Sequence, residues 1–213
     1  METRMRSIRV LFLPLLLALA CALPAAQASS PSGLAVSQVF AGGGNSGAPY
    51  QNDFVVLLDR GSSSVDLSGW TLQYASAAST SWQVTTLSGT ITPGHSYLVQ
   101  LASTAAVGAV LPAPDATGTT NLANTGGKVA LVHDTNALTC GDVAGSCSAS
   151  PLVADLVGYG AATDYEGAAA PALDATTALL RADSGCTDTD ANDADFSTGA
   201  PAPRNSSSPA TTC

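Results

Sequence analysis

The sequence predicts an all-β sandwich. Three observations carry this. Short apolar or alternating segments recur along the chain, Gly, Pro, Asn and Ser turns separate them, and no 11-residue window has a strong 3.6-residue period. Hydrophobic residues make up 46% of the 213 residues and charged ones only 11%, which is too apolar for a disordered chain. With 20 Gly and 12 Pro but no Gly-X-Y period, a collagen-like chain is also excluded.

Residues 1–28 have the composition of a secretory signal peptide. Arg4, Arg6 and Arg9 form a basic start, Val10 to Ala20 an apolar core of eleven residues, and Ala26-Gln27-Ala28 a cleavage site of small residues. Eleven residues fall short of the roughly 20 that a membrane span needs. A lipoprotein reading at Cys21 is weaker, because Ala18-Leu19-Ala20 lacks Leu three places before the Cys. The domain is placed at residues 29–200 and a Pro- and Ser-rich C-terminal tail at 201–213.

After a polar leader, Leu34 to Phe40 is the first strand and Gly42 to Gly47 a loop. Phe54 to Leu58 is a continuous apolar run, as in a strand buried on both faces. Trp70, Leu72 and Tyr74 alternate with Thr71, Gln73 and Ala75, the period-2 pattern of a strand with one face in a core. Ser81 to Leu87 repeats it with Trp82 and Val84. Pro93-Gly94 is a turn before Tyr97, Val99 and Leu101. Ala102 to Thr120 reads as a loop. Lys128 to Val132 and Leu152 to Val157 are strands around a cysteine loop, Thr139 to Ser150. In Gly167 to Thr177, Pro171 opposes a helix. Thr177 to Arg181 is a last short strand.

Once the signal is removed, four basic residues (Arg60, Lys128, Arg181, Arg204) face fourteen Asp and Glu166, a formal charge of −11. Four scattered cations make no phosphate-binding cluster, so direct nucleic-acid contact and binding to anionic membranes are disfavoured. Cations, neutral glycans or other proteins remain as partners. The cysteines Cys140, Cys147, Cys186 and Cys213 are even in number, as befits disulfides in an exported protein, and allow three pairings. Cys140–Cys147 is the economical one, since Gly141, Gly145 and Ser146 let the loop bend, and Cys186–Cys213 then ties the tail. Zinc is opposed by the lack of any Cys-x-x-Cys or Cys/His ligand spacing.

Catalytic constellations are scarce. His95 reads as a solvated turn residue and His133 ends a strand. No Gly-x-Ser-x-Gly elbow exists, and no residue singles out a carboxylate pair, with Glu166 read as a solvated loop carboxylate. The Gly42 to Gly47 loop lacks the Gly-Lys-Ser/Thr ending and the following helix of a phosphate loop. Asp188, Asp190 and Asn192 have the 1-3-5 spacing that opens a calcium loop. Asp193 and Gly199 then stand where Gly and Glu belong. Calcium is therefore the one cofactor expectation, set against a turn whose Asp and Asn side chains bond nearby amides.

Read in order, Val36 to Phe40, Asn52-Asp53-Phe54-Val55, Val65-Asp66-Leu67-Ser68-Gly69-Trp70, Ser81-Trp82-Gln83-Val84, Ile91-Thr92-Pro93-Gly94, Gly127 to Leu131, Asp155 to Gly160, Cys186 to Asp190 and Asp195-Phe196 form an ordered series. It resembles the lamin tail domain family, in the version found in secreted bacterial proteins. The resemblance implies an immunoglobulin-like β-sandwich with no catalytic residues of its own. It further implies a module of the kind placed beside extracellular nuclease or phosphatase domains or in cell-surface proteins, here expected to stand alone without such an enzyme domain. Within the series, Gly69 allows the turn, Leu67 and Trp70 enter the core, and Asp66 and Ser68 satisfy turn amides. Two departures stand out. Val56 and Asp59 replace a usual Glu and Asn, and the Cys that often precedes a Phe-Glu-Gly-like segment is missing from Thr163 to Gly167, which leaves Cys186 to pair differently. The expected role is that of a secreted, non-enzymatic binding module for an extracellular protein or surface component. The rival expectations are an accessory to a separately encoded nuclease or phosphatase and, last, a metal-dependent hydrolase built on Asp188 to Asp195.

Overall fold

A computed structural model describes residues 1–2 and 33–213. The signal peptide reading therefore falls almost wholly outside the described residues. Among the described residues, ten strands form two main sheets. One runs β12 (Phe196–Gly199), β11 (Ala178–Arg181), β1 (Leu34–Phe40), β2 (Phe54–Asp59), β7 (Ser96–Gln100), β8 (Ala116–Thr117). The other runs β10 (Val153–Gly160), β9 (Gly126–Val132), β4 (Thr71–Ser76), β5 (Gln83–Thr86). A two-strand ribbon pairs β3 (Val65–Asp66) with β6 (Thr90–Ile91). Every strand pair in the two main sheets is antiparallel except β7 with β8. The expected sandwich is what forms.

The core between the sheets follows the alternation. Val36, Val55, Leu57 and Val99 from one sheet meet Leu72, Tyr74, Val129, Leu131 and Tyr159 from the other, all buried. The Asp66 to Trp70 turn is built as its residues suggest. Leu67 and Trp70 lie in the core, Gly69 sits at φ +80°, and Asp66 Oδ1 accepts from the Ser68 N–H at 2.9 Å and its hydroxyl at 2.7 Å.

Neither outer face is simply solvated. On the six-stranded sheet, Phe40, Phe54, Val56 and Leu98 form a second apolar cluster with Ala48 and Leu111 from loops. This is why Phe54 to Leu58 is apolar at every position. On the four-stranded sheet, the cysteine loop folds back over Ala75, Ala130, Val132 and Leu156, bringing Leu138 and Cys147 against Trp82. Thr71 and Gln73 point out of the core as their spacing requires, yet are buried beneath that loop. Thr71 Oγ1 donates to Asp134 O at 2.8 Å, and Gln73 bonds Asn136 O and the Leu138 N–H.

Four sequence expectations need correction. Val84 does not share the burial of Trp82, because β5 is an edge strand whose outer side the cysteine loop does not reach there. Val84 is 37% exposed while Thr85 turns inward. The strand starting near Leu152 does not stop at Val157. It runs on to Gly160, since Gly158 has room beside Asp164 O only without a Cβ, and Tyr159 fills the core. Glu166 is not solvated; it is 8% exposed, packed against β10 and Asn192. Finally, β8, β12 and the single turn α1 (Asn192–Asp195) have too few residues to leave a periodic trace. Segment 167–177 is non-helical, as Pro171 implies; its Ala170 bridges to Tyr159.

Candidate functional site

A buried polar assembly lies where the two sheets meet along β10, β11 and β1. A bulge between Val36 and Gln38 interrupts the pairing of β1. There the Val36 N–H donates to Asp155 Oδ2 at 2.6 Å, and the Val36 carbonyl accepts from Arg181 Nε at 2.8 Å. Side chains thus satisfy backbone groups that strand pairing leaves open. Asp155 stands on β10 in one sheet and Arg181 on β11 in the other. Arg181 Nη2 donates to both oxygens of Asp155, at 2.7 and 2.9 Å, and this pair joins the two layers.

Arg181 also reaches Asp188 at 2.8 Å, Asp195 at 3.3 Å and Thr187 O at 3.2 Å, and its guanidinium lies 4.5 Å from the Phe196 ring centroid. Arg60 holds Asp188 from the other side at 2.6 Å. Asn192 is fully buried; its Oδ1 accepts from the Gly158 and Glu166 N–H groups and its Nδ2 donates to Leu156 O. Burial pulls the Arg181 guanidinium down, but Asp155 and Asp188 outweigh it and hold the group above its usual value. Burial first, then the charges of Asp155 and Asp188, push Glu166 up to about 9, so it is a neutral acid at pH 7.

Asp155, Glu166 and Asp188 each place a carboxylate oxygen within 4.8 Å of the others, a spacing that suits a cation. Both oxygens of Asp155 are already on Arg181, and those of Asp188 are divided between Arg181 and Arg60. A metal ion would have to displace guanidinium groups, so the cluster as built is a charge-neutralising staple. Of the calcium-spaced residues, Asp188 serves this staple and Asn192 bonds backbone. Burial, then Asp188 and Asp195, raise the Asp190 carboxyl above its ordinary range.

The glycine loop is tied inward. The Gly43 N–H donates to Asp53 Oδ1 at 2.8 Å, and the Leu122 N–H to Asp53 Oδ2 at 2.8 Å. A Cβ on Gly43 would lie 2.1 Å from the Asp53 backbone nitrogen. The loop amide that a phosphate would need is thus taken by a buried carboxylate, which itself repels anions. Burial lifts that carboxyl to about 6, against the pull of the two amides.

Lys128 is also buried. Its Nζ donates to Ser79 O at 2.8 Å, to Gly141 O and to Thr163 Oγ1 at 3.3 Å, and lies 5.9 Å from the Trp82 ring centroid. It pins the cysteine loop. The histidines go separate ways. His95 Nδ1 is 3.3 Å from Ser206 O, while His133 stacks on Trp70 with ring centroids 4.5 Å apart. The disulfides are Cys140–Cys147 and Cys186–Cys213, the economical pairing. Among the described residues no helix is long and apolar enough to cross a membrane.

The spacing of residues missed the staple because its members lie up to 145 positions apart, Val36 to Arg181. A usable trace did exist: Arg181 ends the apolar run Ala178-Leu179-Leu180, and Asp155 precedes Leu156-Val157. A charge inside a short apolar strand needs a buried partner.

The family model described as Lamin Tail Domain matches residues 27–145. The chain belongs to the lamin tail domain family. This family is a non-catalytic, immunoglobulin-like one, in agreement with the sandwich. No curated protein matches the chain. The lamin tail domain match ends before β10, so the staple residues Asp155, Glu166, Arg181, Asp188 and Asp195 all lie beyond it. So do Cys147, Cys186 and Cys213.

Proposed function

We propose that this chain is an exported, non-catalytic lamin tail domain module of the secreted bacterial kind, which binds a protein or surface component outside the cell. One observation carries the reading: the conspicuous polar side chains of the described residues are consumed by the fold. Asp53, Lys128, Asp155, Arg181 and Asn192 bond backbone or each other in the interior, and neither histidine bonds a serine or cysteine side chain. Two disulfides support an oxidising compartment, and the basic-apolar-small pattern of residues 1–28 supports export. Purified protein is expected to leave DNA, phosphoesters and glycans intact. Hydrolysis at enzyme-like rates, lost on changing His95 or His133, would overturn the reading. A pull-down from native culture supernatant identifies the partner.

The second reading is an accessory to a separately encoded nuclease or phosphatase. The −11 charge favours contact through that enzyme rather than with nucleic acid. A gel shift with DNA that weakens as salt rises would reverse this preference. Calcium at Asp188, Asp190 and Asn192 would have to displace Arg60 and Arg181 from Asp188, and calorimetry tests it: titration without heat removes it.

A further inference from the structure

Segment 201–213 does not extend either sheet, yet it is fastened along the six-stranded one. It leaves β12 at one edge. Over β1, Ala202 exchanges two hydrogen bonds with the Gln38 amide, at 2.7 and 3.0 Å. At the far edge, Asn205 Nδ2 donates to Ala113 O at 2.9 Å, and the Ser206 N–H and hydroxyl meet Asp115, whose Oδ2 also accepts from the Leu98 N–H. The segment then turns back. The Thr211 N–H donates to Gly94 O at 2.7 Å, and Cys213 closes onto Cys186 beside the acidic loop.

These ties are unequal. Thr211 N–H to Gly94 O is the backbone-to-backbone bond between segment and body among the described residues, and Pro201, Pro203 and Pro209 have no N–H to offer. The Asn205 and Ser206 contacts lie in exposed or half-exposed positions. The covalent bond is the strong fastening. It is also the accessible one, since Cys213 is exposed and Cys186 half-buried, whereas Cys147 of the other disulfide has no exposed surface.

We propose that residues 201–213 are a redox-latched strap: opening Cys186–Cys213 frees it from the six-stranded sheet while the sandwich and Cys140–Cys147 stay intact. The reaction is thiol–disulfide exchange with a dithiol. The attacking thiolate forms a mixed disulfide, the second thiol resolves it, two protein thiols result, and the dithiol leaves as its own disulfide. The strap then uncovers Gln38 and the Pro93-Gly94-His95 turn.

Arg204 is the single Lys or Arg within the strap, so trypsin reports its release. The protein is treated with graded dithiothreitol, alkylated, mapped by mass, and digested. The expected result is alkylation of Cys186 and Cys213 before Cys140 and Cys147. Cleavage after Arg204 should then be about tenfold faster or more, as for a segment that opens on its own, and should outpace any acceleration of the cuts at Arg60, Lys128 and Arg181. Cys213→Ser is expected to be cut at the fast rate without reductant. Simultaneous alkylation of all four cysteines, an Arg204 rate that stays slow with the bond open or in Cys213→Ser, or acceleration of all four cuts together would each overturn the proposal.

Discussion

Asp59 ends β2 with no exposed surface; its Oδ1 accepts from the Gly61 N–H, and its Oδ2 has no hydrogen-bond partner among the described residues. Burial raises its carboxyl above the usual range, so ionisation at neutral pH works against the fold. This is one of the positions that departs from the family pattern, where Asn is usual. Asp59→Asn keeps the shape and removes the charge. It is expected to stabilise the protein by about 1 kcal/mol at pH 7. Because the folded carboxyl has the higher pKa, the penalty is relieved as pH falls, so the gain should vanish near pH 3. Urea unfolding at both pH values checks this. Arg181 is the opposite case, since its loss leaves Asp155 and Asp195 buried and unpaired. Arg181→Ala is expected to cost about 3–5 kcal/mol in the same measurement. Arg181→Lys should recover little, because one ammonium nitrogen cannot replace the three guanidinium nitrogens that reach Val36 O, Asp155 and Asp188.

The cysteine loop owes its shape to contacts beyond its own sequence. It lies on the outer face of β4 and β9 because Thr71 and Gln73 bond the backbone of Asp134, Asn136 and Leu138 that leads into it, Trp82 Nε1 donates to Cys140 O at 2.9 Å, and Lys128 anchors Gly141. Asp164 completes the fastening by accepting from the Gly145 and Cys147 N–H groups, both at 2.7 Å. Lys128→Met keeps the stem but orphans these acceptors. A loss of about 2 kcal/mol is expected, with faster amide exchange in residues 139–147 and little change in β1 and β2. Uniform acceleration across both sheets would contradict a local anchoring role. A Lys opening an apolar run and polar residues alternating along β4 are visible in the sequence. That they converge on one loop is not, because the register of β4 against β9 places them together.

For the whole molecule, folding takes up protons. Glu166 is held near 9 in the fold against an ordinary 4.5, and Asp53 near 6 against 3.8. A raised carboxyl favours the fold below its ordinary pKa, and that advantage is lost as pH rises through the folded value. Stability should therefore decline from pH 6 to pH 9.5, with Glu166 the main contributor above pH 7. Glu166→Gln should flatten the alkaline part of the curve, as followed by urea unfolding; a curve as steep as that of the unaltered protein would refute the assignment. The disulfide spanning 27 positions acts at the same scale. Its removal by Cys213→Ser is expected to cost about 2–4 kcal/mol, mainly by loosening the unfolded chain, and thermal unfolding measures it.

The sequence by itself determined the strand-rich sandwich, the Asp66 to Trp70 turn and the apolar strand buried on both faces, and left three cysteine pairings open. Each determined feature is written in neighbouring residues, where a period of two or a turn residue suffices. Only the tertiary structure decided that Glu166 is buried and neutral, that Asp188 and Asn192 serve the interior, and that Lys128 and Arg181 clamp separate layers. Those facts arise where residues remote in the chain share one low-dielectric space, and the energy of a charge there depends on which partners the fold brings to it.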